Sequence, residues 1–209
     1  MKGSVKEAHL SFADRALRVF AFCMVHVVQR PKLHGSKPAL DAPTIFVCRH
    51  VGLMDPVILM VQYYRQLIHP LAALDYFEKN RFTHAFFTHA QCYPIDRKNH
   101  SDQWLTDSLG ALAKGESILI FPEGRRNKEG DDLLPFHTGA VRLALESGAQ
   151  LIPVFNGRWD FPHRYHLAIG KPFHIDPVPD GGVTRDWLHI QAEMMRQKVE
   201  ELRIPQDAI

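Results

Sequence analysis

Two short apolar runs with a helical segment between them constrain most strongly what this chain can fold into. Residues 117–121 form an apolar run between Gly115 and Pro122, a pattern typical of a strand buried on both faces of a sheet. A helical pattern follows at 138–147, and a second apolar run occupies 151–155. Strand, helix and strand at this spacing predict a parallel pair with a right-handed crossover, and therefore an α/β fold.

The same alternation extends along the rest of the chain. A length of 209 residues and a hydrophobic fraction of 45% are sufficient for one domain with a large core. We therefore expect a single α/β domain over residues 1–209, with a mostly parallel central sheet flanked by helices. Residues 31–43 are expected to be a polar connector. The other predicted strands are 44–48, 71–74, 91–95 and 165–169, and the other predicted helices are 57–66, 76–89, 102–114 and 185–202.

The N-terminal stretch 1–35 contains a predicted helix at 11–30. Its unbroken apolar run covers only 19–25, whereas a membrane-spanning helix needs about 20 apolar residues. It does not resemble a secretory signal, because acidic residues precede the run and no small-residue cleavage site follows. Two interpretations stay open, a helix packed on the core or an amphipathic interfacial helix that makes this stretch membrane-proximal. In the second, the membrane-facing residues are Phe12, Phe20, Phe22 and Met24, and the headgroup-facing cations are Arg15, Arg18, Arg30 and Lys32.

Composition argues against several other classes of protein. The net charge is only +2 and there is no basic block with interleaved aromatics, so nucleic acid is not an expected partner. The three cysteines lack a Cys-x-x-Cys pair, so neither a disulfide framework nor a zinc site is expected. Cys48 and Cys92 are interpreted as buried core thiols. The histidines lack the matched third ligand of a metal site. The pairs considered are His84/His89 and His163/His166.

The segment that follows the run 44–48 carries the most specific chemistry. His50 leaves the end of a predicted strand, and Asp55 followed by Pro56 is a helix start signal. With a tight turn at Gly52, the Asp55 carboxylate can reach one imidazole nitrogen of His50. A histidine oriented in this way can activate a hydroxyl at neutral pH. A structural histidine followed by a capping aspartate is the alternative interpretation.

Two further polar groups follow predicted strands. Arg97 follows one short strand, and the segment Glu123–Arg126 follows the strand at 117–121. Gly124 permits a left-handed backbone or the close approach of a ligand, and arginine binds phosphate through paired hydrogen bonds. If the strands are parallel, these groups and His50 meet at the carboxyl edge of the sheet, where open α/β sheets bind ligands. A solvated basic turn is the alternative interpretation. The cations of this turn are Arg125, Arg126 and Lys128.

Taken in order, four segments of the chain resemble the four sequence blocks of the glycerolipid acyltransferases. The similarity covers residues 44–155, and four motifs in the right order are far more specific than any one of them. The segments are His50-x4-Asp55, Tyr93-Pro94-Ile95-Asp96-Arg97, Phe121-Pro122-Glu123-Gly124 with Arg126, and Ile152-Pro153-Val154.

The resemblance implies a glycerol-3-phosphate acyltransferase-like fold and an enzyme bound peripherally to the cytoplasmic face of a membrane. It implies transfer of a fatty acyl group from acyl-CoA or acyl carrier protein to a lysolipid hydroxyl, with 1-acyl-sn-glycerol-3-phosphate the favoured acceptor and phosphatidic acid the product. The thioester is a co-substrate, and no separate cofactor or metal is implied. By position, the residues implied are His50 as general base, Asp55 as its orienter, Arg97, Glu123, Gly124 and Arg126 as acceptor-binding residues, and Pro153 as structural or acyl-binding.

The departures from the family pattern bear on the acceptor. The first block usually has Asn and Ser where this chain has Arg49 and Gly52, and the third usually has Thr and Ser where it has Arg125 and Asn127. An extra arginine at each block suits a different anionic headgroup. Another lysolipid such as lyso-ornithine lipid, a thioesterase reaction and an inactive lipid-binding protein stay open. Backbone N–H groups near the Gly52 turn, or at the following helix start, are expected to stabilise the oxyanion.

Overall fold

A seven-stranded sheet forms the centre of the molecule, in the strand order β1-β7-β6-β2-β5-β3-β4. The computed structural model describes residues 11–35, 37–99, 101–127, 132–157 and 164–205. The strands are β1 (Lys32–His34), β2 (Thr44–Cys48), β3 (Ile68–Ala73), β4 (Tyr93–Ile95), β5 (Ser117–Ile120), β6 (Gln150–Asn156) and β7 (His166–Ile169). The helices are α1 (Phe12–Met24), α2 (Asp55–Gln62), α3 (Leu74–Glu78), α4 (Arg81–His89), α5 (Gln103–Ala113), α6 (Gly139–Ser147) and α7 (Arg185–Glu200).

The five strands from β6 to β4 in this order run parallel, which confirms the predicted mostly parallel α/β sheet. Successive side chains of a strand point to opposite faces, so each central strand contributes to two cores. Ile45 and Val47 of β2 pack in the core that contains α5, α6 and α7. Phe46 and Cys48 pack in the core that contains α2 and the end of the N-terminal helix. All of β2 is buried, as its unbroken apolar sequence requires.

One edge of the sheet reverses direction. β7 pairs antiparallel with β6, and β1 then pairs parallel with β7. β1 lies within the stretch 31–43, which the sequence predicted to be a polar connector, and that prediction was wrong at these three residues. The pattern Lys-Leu-His has no strong strand signal of its own, but β7 offers it an open edge for pairing. The reversal brings the start of β7 to the same edge as the carboxyl ends of the five parallel strands.

Helix α1 begins at a capping box, in which the Ser11 side chain accepts the Asp14 N–H and the Asp14 side chain accepts the Ser11 N–H. A π-helical turn at Val25–Gln29 continues it to Arg30, whose φ is 45°. Asp14 and Val25 face the protein and are buried. The opposite, outward face is apolar, with exposed fractions of 88% for Phe12, 64% for Val19, 66% for Phe20 and 75% for Val27.

Two residues of the predicted interfacial helix lie elsewhere than expected. Met24 packs against the core that contains α2. The Arg18 guanidinium donates back to the carbonyls of Tyr64 and Gln66, at 3.3 and 3.4 Å, instead of extending from the outward face. Within the described ranges, no helix has the length and apolar character needed to cross a membrane.

Candidate active site

The His50 imidazole and the Asp55 carboxylate form a hydrogen-bonded pair at the carboxyl edge of β2. The distance from His50 Nδ1 to Asp55 Oδ2 is 2.9 Å, and the exposed fractions of the two side chains are 19% and 0%. The imidazole also stacks on the Phe121 ring, with 4.0 Å between centroids and 22° between planes. The carboxylate and the phenyl ring together fix the plane of the imidazole, and its second nitrogen, Nε2, is the one left to act on a substrate.

Asp55 is the first residue of α2. The sequence predicted that its side chain would cap this helix, but the side chain does not do so. The carboxylate turns back and accepts the N–H groups of Val51 and Gly52 into Oδ2, at 2.7 and 2.9 Å. Because these donors and the imidazole share an ionised acceptor, Nδ1 of His50 carries its proton and Nε2 is the basic nitrogen. The Val51 and Gly52 N–H groups are therefore occupied, which leaves the helix start as the predicted source of oxyanion stabilisation.

Tyr165 completes the set of donors around Asp55, and the sequence did not predict it. Its hydroxyl donates to Asp55 Oδ1 at 2.8 Å, and the residue is only 2% exposed. Tyr165 lies just before β7 and reaches this edge because β7 runs against β6. Burial, together with the Asp55 charge, raises the pKa of its hydroxyl well above the usual value, so it stays a donor. No local motif marks such a residue, since its position depends on strand direction.

Glu123 and Asn127 hold the backbone of His50 in place. Glu123 Oε1 accepts the His50 N–H at 2.8 Å, and Oε2 accepts the Leu134 N–H at 3.1 Å. The Asn127 N–H donates to the His50 carbonyl at 2.6 Å. Burial raises the pKa of Glu123, although the N–H donors of His50 and Leu134 and the nearby cation Arg49 oppose the shift. Glu123 was predicted to bind the acceptor. At 3% exposure, its carboxylate instead connects the loop that contains His50 to the loop that contains Leu134.

Gly124 has the left-handed backbone that the sequence suggested for it. Its φ is 69°, in the left-handed region, and a Cβ atom at this position would lie 2.8 Å from His137 Cδ2. Any other residue here would therefore clash with the His137 ring as well as strain the backbone. His137 is exposed, and its N–H donates to the Pro122 carbonyl at 2.8 Å. This histidine is a second residue at the site that the sequence did not indicate.

Arg49, one of the two extra arginines, does not face the acceptor side. It is 2% exposed, and its guanidinium lies 4.7 Å from the centroid of the Phe155 ring. Its Nη1 also donates to the Asn156 carbonyl at 3.3 Å, and its own carbonyl accepts from Asn156 Nδ2 at 2.7 Å. The suggestion that this arginine selects a different headgroup was therefore wrong. Arg49 instead ties the end of β2 to β6.

Among the predicted acceptor-side cations, Arg97 and Arg125 are exposed and Arg126 is half-exposed. None of the three makes a side-chain hydrogen bond or ion pair with another described residue. Arg97 follows β4, which lies two strands from β5 and so about 10 Å away across the sheet. Lys128, predicted to join this group, lies outside the described residues. A loop with unpaired guanidinium groups beside a basic histidine suits an anionic substrate.

Pro153 of the fourth block lies inside β6, where it faces Val47 across the ladder. A Cβ atom on Gly170 would lie 2.7 Å from Pro153 Cγ, so the proline packs directly against the end of β7. Of its two predicted roles, this contact fits the structural one.

The thiols do not supply a rival nucleophile. All three cysteines are free, with Cys48 buried, Cys92 half-buried and Cys23 exposed, so only Cys48 is the fully buried thiol that was predicted. Burial raises the pKa of Cys48 well above its usual value, and the Asp55 charge adds to this shift. Among the described residues, no group of three or more His, Cys, Asp or Glu side chains is arranged to hold a metal ion. His163 lies outside that part of the chain.

A histidine held by a buried carboxylate at the carboxyl edge of a parallel sheet is an arrangement found in α/β enzymes, and it is suited to the activation of a hydroxyl group. The model of the Acyltransferase family matches residues 30–156, more than half of the chain. The chain belongs to the Acyltransferase family, and its assignment as an enzyme of this family is confirmed. The predicted resemblance, made from four short blocks, is therefore correct.

Individual relatives agree with the family assignment. The chain is 28% identical over 171 residues to the 1-acyl-sn-glycerol-3-phosphate acyltransferase of Bacillus subtilis, covering 78% of this chain and 82% of the relative. It is 33% identical over 126 residues to the enzyme of the same name from Haemophilus influenzae, covering 52% of this chain and 49% of that protein. The chain thus spans about half the length of the second relative.

The fold has a counterpart among solved structures. The crystal structure of the 1-acyl-sn-glycerophosphate acyltransferase from Thermotoga maritima superposes with a TM-score of 0.59 at 21% identity. The superposition covers 94% of this chain and 86% of the other. At that identity the likeness concerns the fold, and it confirms the predicted acyltransferase-like architecture.

Proposed function

We propose that this protein transfers a fatty acyl group from an acyl-CoA or acyl carrier protein thioester to the free hydroxyl of a lysophospholipid. The proposed acceptor is 1-acyl-sn-glycerol-3-phosphate and the product is phosphatidic acid. The observation that carries the proposal is the 2.9 Å hydrogen bond from His50 Nδ1 to buried Asp55, which leaves Nε2 as the base. The names of the relatives support the choice of acceptor.

In the proposed mechanism, His50 Nε2 takes the proton of the acceptor hydroxyl as its oxygen attacks the thioester carbonyl. Asp55 stabilises the imidazolium that forms. The new C–O bond then replaces the C–S bond, and His50 returns the proton to the departing thiolate. No acyl-enzyme is required, because the acceptor oxygen attacks the thioester directly. The phosphate of the acceptor is assigned to Arg97 and Arg126.

Replacement of His50 by alanine tests this proposal. We expect His50→Ala to lower turnover by about 10²–10⁴-fold, the contribution of a positioned general base. The assay is mass-spectrometric detection of acylated lipid from both thioester donors with a panel of lysolipid acceptors. His189, an exposed histidine on α7, gives the control variant His189→Ala. Near-wild-type turnover by His50→Ala would overturn the role of His50, and thiol release without a lipid product would indicate a thioesterase.

The proposal places the protein peripherally on the cytoplasmic face of a membrane, where lysolipids reside. It is supported by the outward face of α1, which carries Phe12, Val19 and Phe20 while its only acidic residue, Asp14, is buried. Such a helix lies in the interface plane with its apolar side toward the acyl chains. Undiminished vesicle binding by the double variant F12S/F20S would remove α1 from this role.

A further inference from the structure

A second helix presents aromatic side chains to solvent. Phe82 and Phe86 lie one turn apart on α4, and their exposed fractions are 88% and 47%. The opposite side of α4 is the one that packs, since the Phe87 ring lies 5.3 Å from Phe77 and 5.4 Å from Tyr76 between centroids. The Phe86 ring also contacts Phe87, with 5.4 Å between centroids, so Phe86 is partly packed while Phe82 points fully outward. The exposure of two neighbouring phenylalanines to water is energetically unfavourable and suggests a binding partner.

Helix α4 is attached to α1. The two helices are in contact, and His89 Nδ1 at the end of α4 lies 2.9 Å from Asp14 Oδ1 in the first turn of α1. Phe86 lies one turn before His89 and Phe82 two turns before it, on the same side of α4 as that link. The end of α4 is thus held next to the first turn of α1, whose Phe12 is also exposed.

The charges around the aromatic residues are mainly positive, with Glu78 the exposed acidic residue next to Lys79. Lys79, Arg81 and Arg15 are exposed, and none of them forms an ion pair with another described residue. α4 contains no acidic residue. Aromatic side chains beside uncompensated cations match a bilayer that carries anionic lipids, because the rings can enter the interface while the cations stay among the headgroups.

We propose that α4 is a second membrane-docking element, which inserts Phe82 and Phe86 into the interface of an anionic bilayer beside α1. We name the surface formed by Phe12, Val19, Phe20, Phe82 and Phe86 the aromatic docking surface. The inference deepens the proposed function and rests on it only in the choice of a lipid bilayer as the partner. Two attachment points fix the rotation of the protein on the membrane, which a single interfacial helix cannot do.

The test is vesicle co-sedimentation of the full chain with phosphatidylcholine alone or mixed with phosphatidylglycerol. We expect F82S/F86S to lower the partition coefficient on mixed vesicles by about tenfold or more, because two aromatic side chains no longer leave water. The matched control is I190S on α7, which replaces an apolar residue that is 62% exposed. Helix α7 packs on the face of the sheet opposite to α1. K79Q/R81Q should weaken binding to mixed vesicles and leave binding to phosphatidylcholine unchanged.

Three results would overturn the proposal. The first is wild-type vesicle binding by F82S/F86S. The second is an equal loss of vesicle binding in I190S. The third is a change of oligomeric state in F82S/F86S, measured by light scattering, with vesicle binding unchanged. The last result would assign the surface to a second copy of the chain. Circular dichroism confirms that each variant is folded. Since binding is measured without turnover, failure here leaves the acyltransferase proposal intact, and an inactive protein that binds vesicles as expected would leave this inference intact.

Discussion

At the scale of single residues, the surroundings of Asp55 determine how His50 works. The carboxylate is fully buried and accepts four hydrogen bonds, from His50, Val51, Gly52 and Tyr165. Four donors stabilise the ionised form and hold its geometry rigidly. A Cβ atom at Gly52 would lie 3.1 Å from Asp55 Oδ1, so the turn also needs a small residue. The His50 ring is oriented by this whole cluster and not by one aspartate alone.

Removal of the Tyr165 hydroxyl tests that cluster. We expect Tyr165→Phe to lower kcat by about ten- to hundredfold, since a hydrogen bond to a charged group contributes about 1.5–3 kcal/mol. The KM for the acceptor should change little, because Tyr165 does not contact the substrate and acts through Asp55. Tyr63→Phe is the control, because that buried hydroxyl bonds to the Pro38 carbonyl, 3.2 Å away and apart from Asp55. Equal effects in the two variants would contradict a positioning role for Tyr165.

Arg126 is the residue with which to test acceptor recognition. We expect Arg126→Ala to raise the KM for the anionic acceptor by about ten- to hundredfold, because a charge-assisted contact contributes about 1.5–3 kcal/mol. Thermal stability should not change, since the side chain bonds to no other described residue. Arg65→Ala removes an exposed cation just before the amino end of β3, at the opposite edge of the sheet, and serves as control. An acceptor dependence identical to wild type would exclude Arg126 from the site.

At the scale of elements, the edge strand β1 depends on a histidine pair. His34 Nε2 and His166 Nδ1 are 3.0 Å apart across β1 and β7. Burial lowers the pKa of both rings, and the nearby charge of Lys32 adds to the shift; His34 and Arg164 also lower the pKa of His166. The pair is therefore stable when at least one ring is neutral. Two protonated rings would repel each other across the strand pairing.

The pH dependence of stability follows from that pair. Because both pKa values are lower in the folded chain than the ordinary value of 6.5, the unfolded chain binds more protons as pH falls. The free energy of unfolding is therefore highest above pH 6.5 and decreases below it. Denaturant titrations between neutral and mildly acidic pH should show this decrease, and His34→Gln should flatten it. The exposed His189→Gln is the control, and an unflattened slope in His34→Gln would contradict the assignment.

The sequence predicted those elements whose signal is local. The apolar runs of β2, β5 and β6 and the helix that ends at Gly148, where φ is 63°, lie within a residue or two of their predicted bounds. β3 was predicted to start at 71 but starts at Ile68, because His69 and Pro70 interrupt its apolar pattern. β1 and the direction of β7 were missed, since both depend on pairing between distant segments. Tyr165 and His137 were missed for the same reason.

At the scale of the whole molecule, the site combines residues from inside and from outside the motif-bearing stretch 44–155. His50, Glu123 and Asn127 lie inside that stretch and were detectable as motifs. The N-terminal helix and Tyr165 lie outside it, yet the Tyr165 N–H donates to the Gln29 carbonyl at 2.8 Å, so the end of the N-terminal helix meets the residue that holds Asp55. The aromatic docking surface likewise combines two helices that are distant in sequence.

The reversed strand β7 has a consequence for the order in which the protein matures. A chain emerging from the ribosome can pair its five parallel strands once residue 156 is free, and His50 can then already contact Asp55. The fourth donor to that buried carboxylate arrives only with residue 165, together with the strand that pairs β1 and anchors the N-terminal helix. The His50–Asp55 pair therefore gains its last hydrogen bond at the same step of synthesis that closes the sheet, so a nascent chain stalled before that point holds the two residues without their complete support.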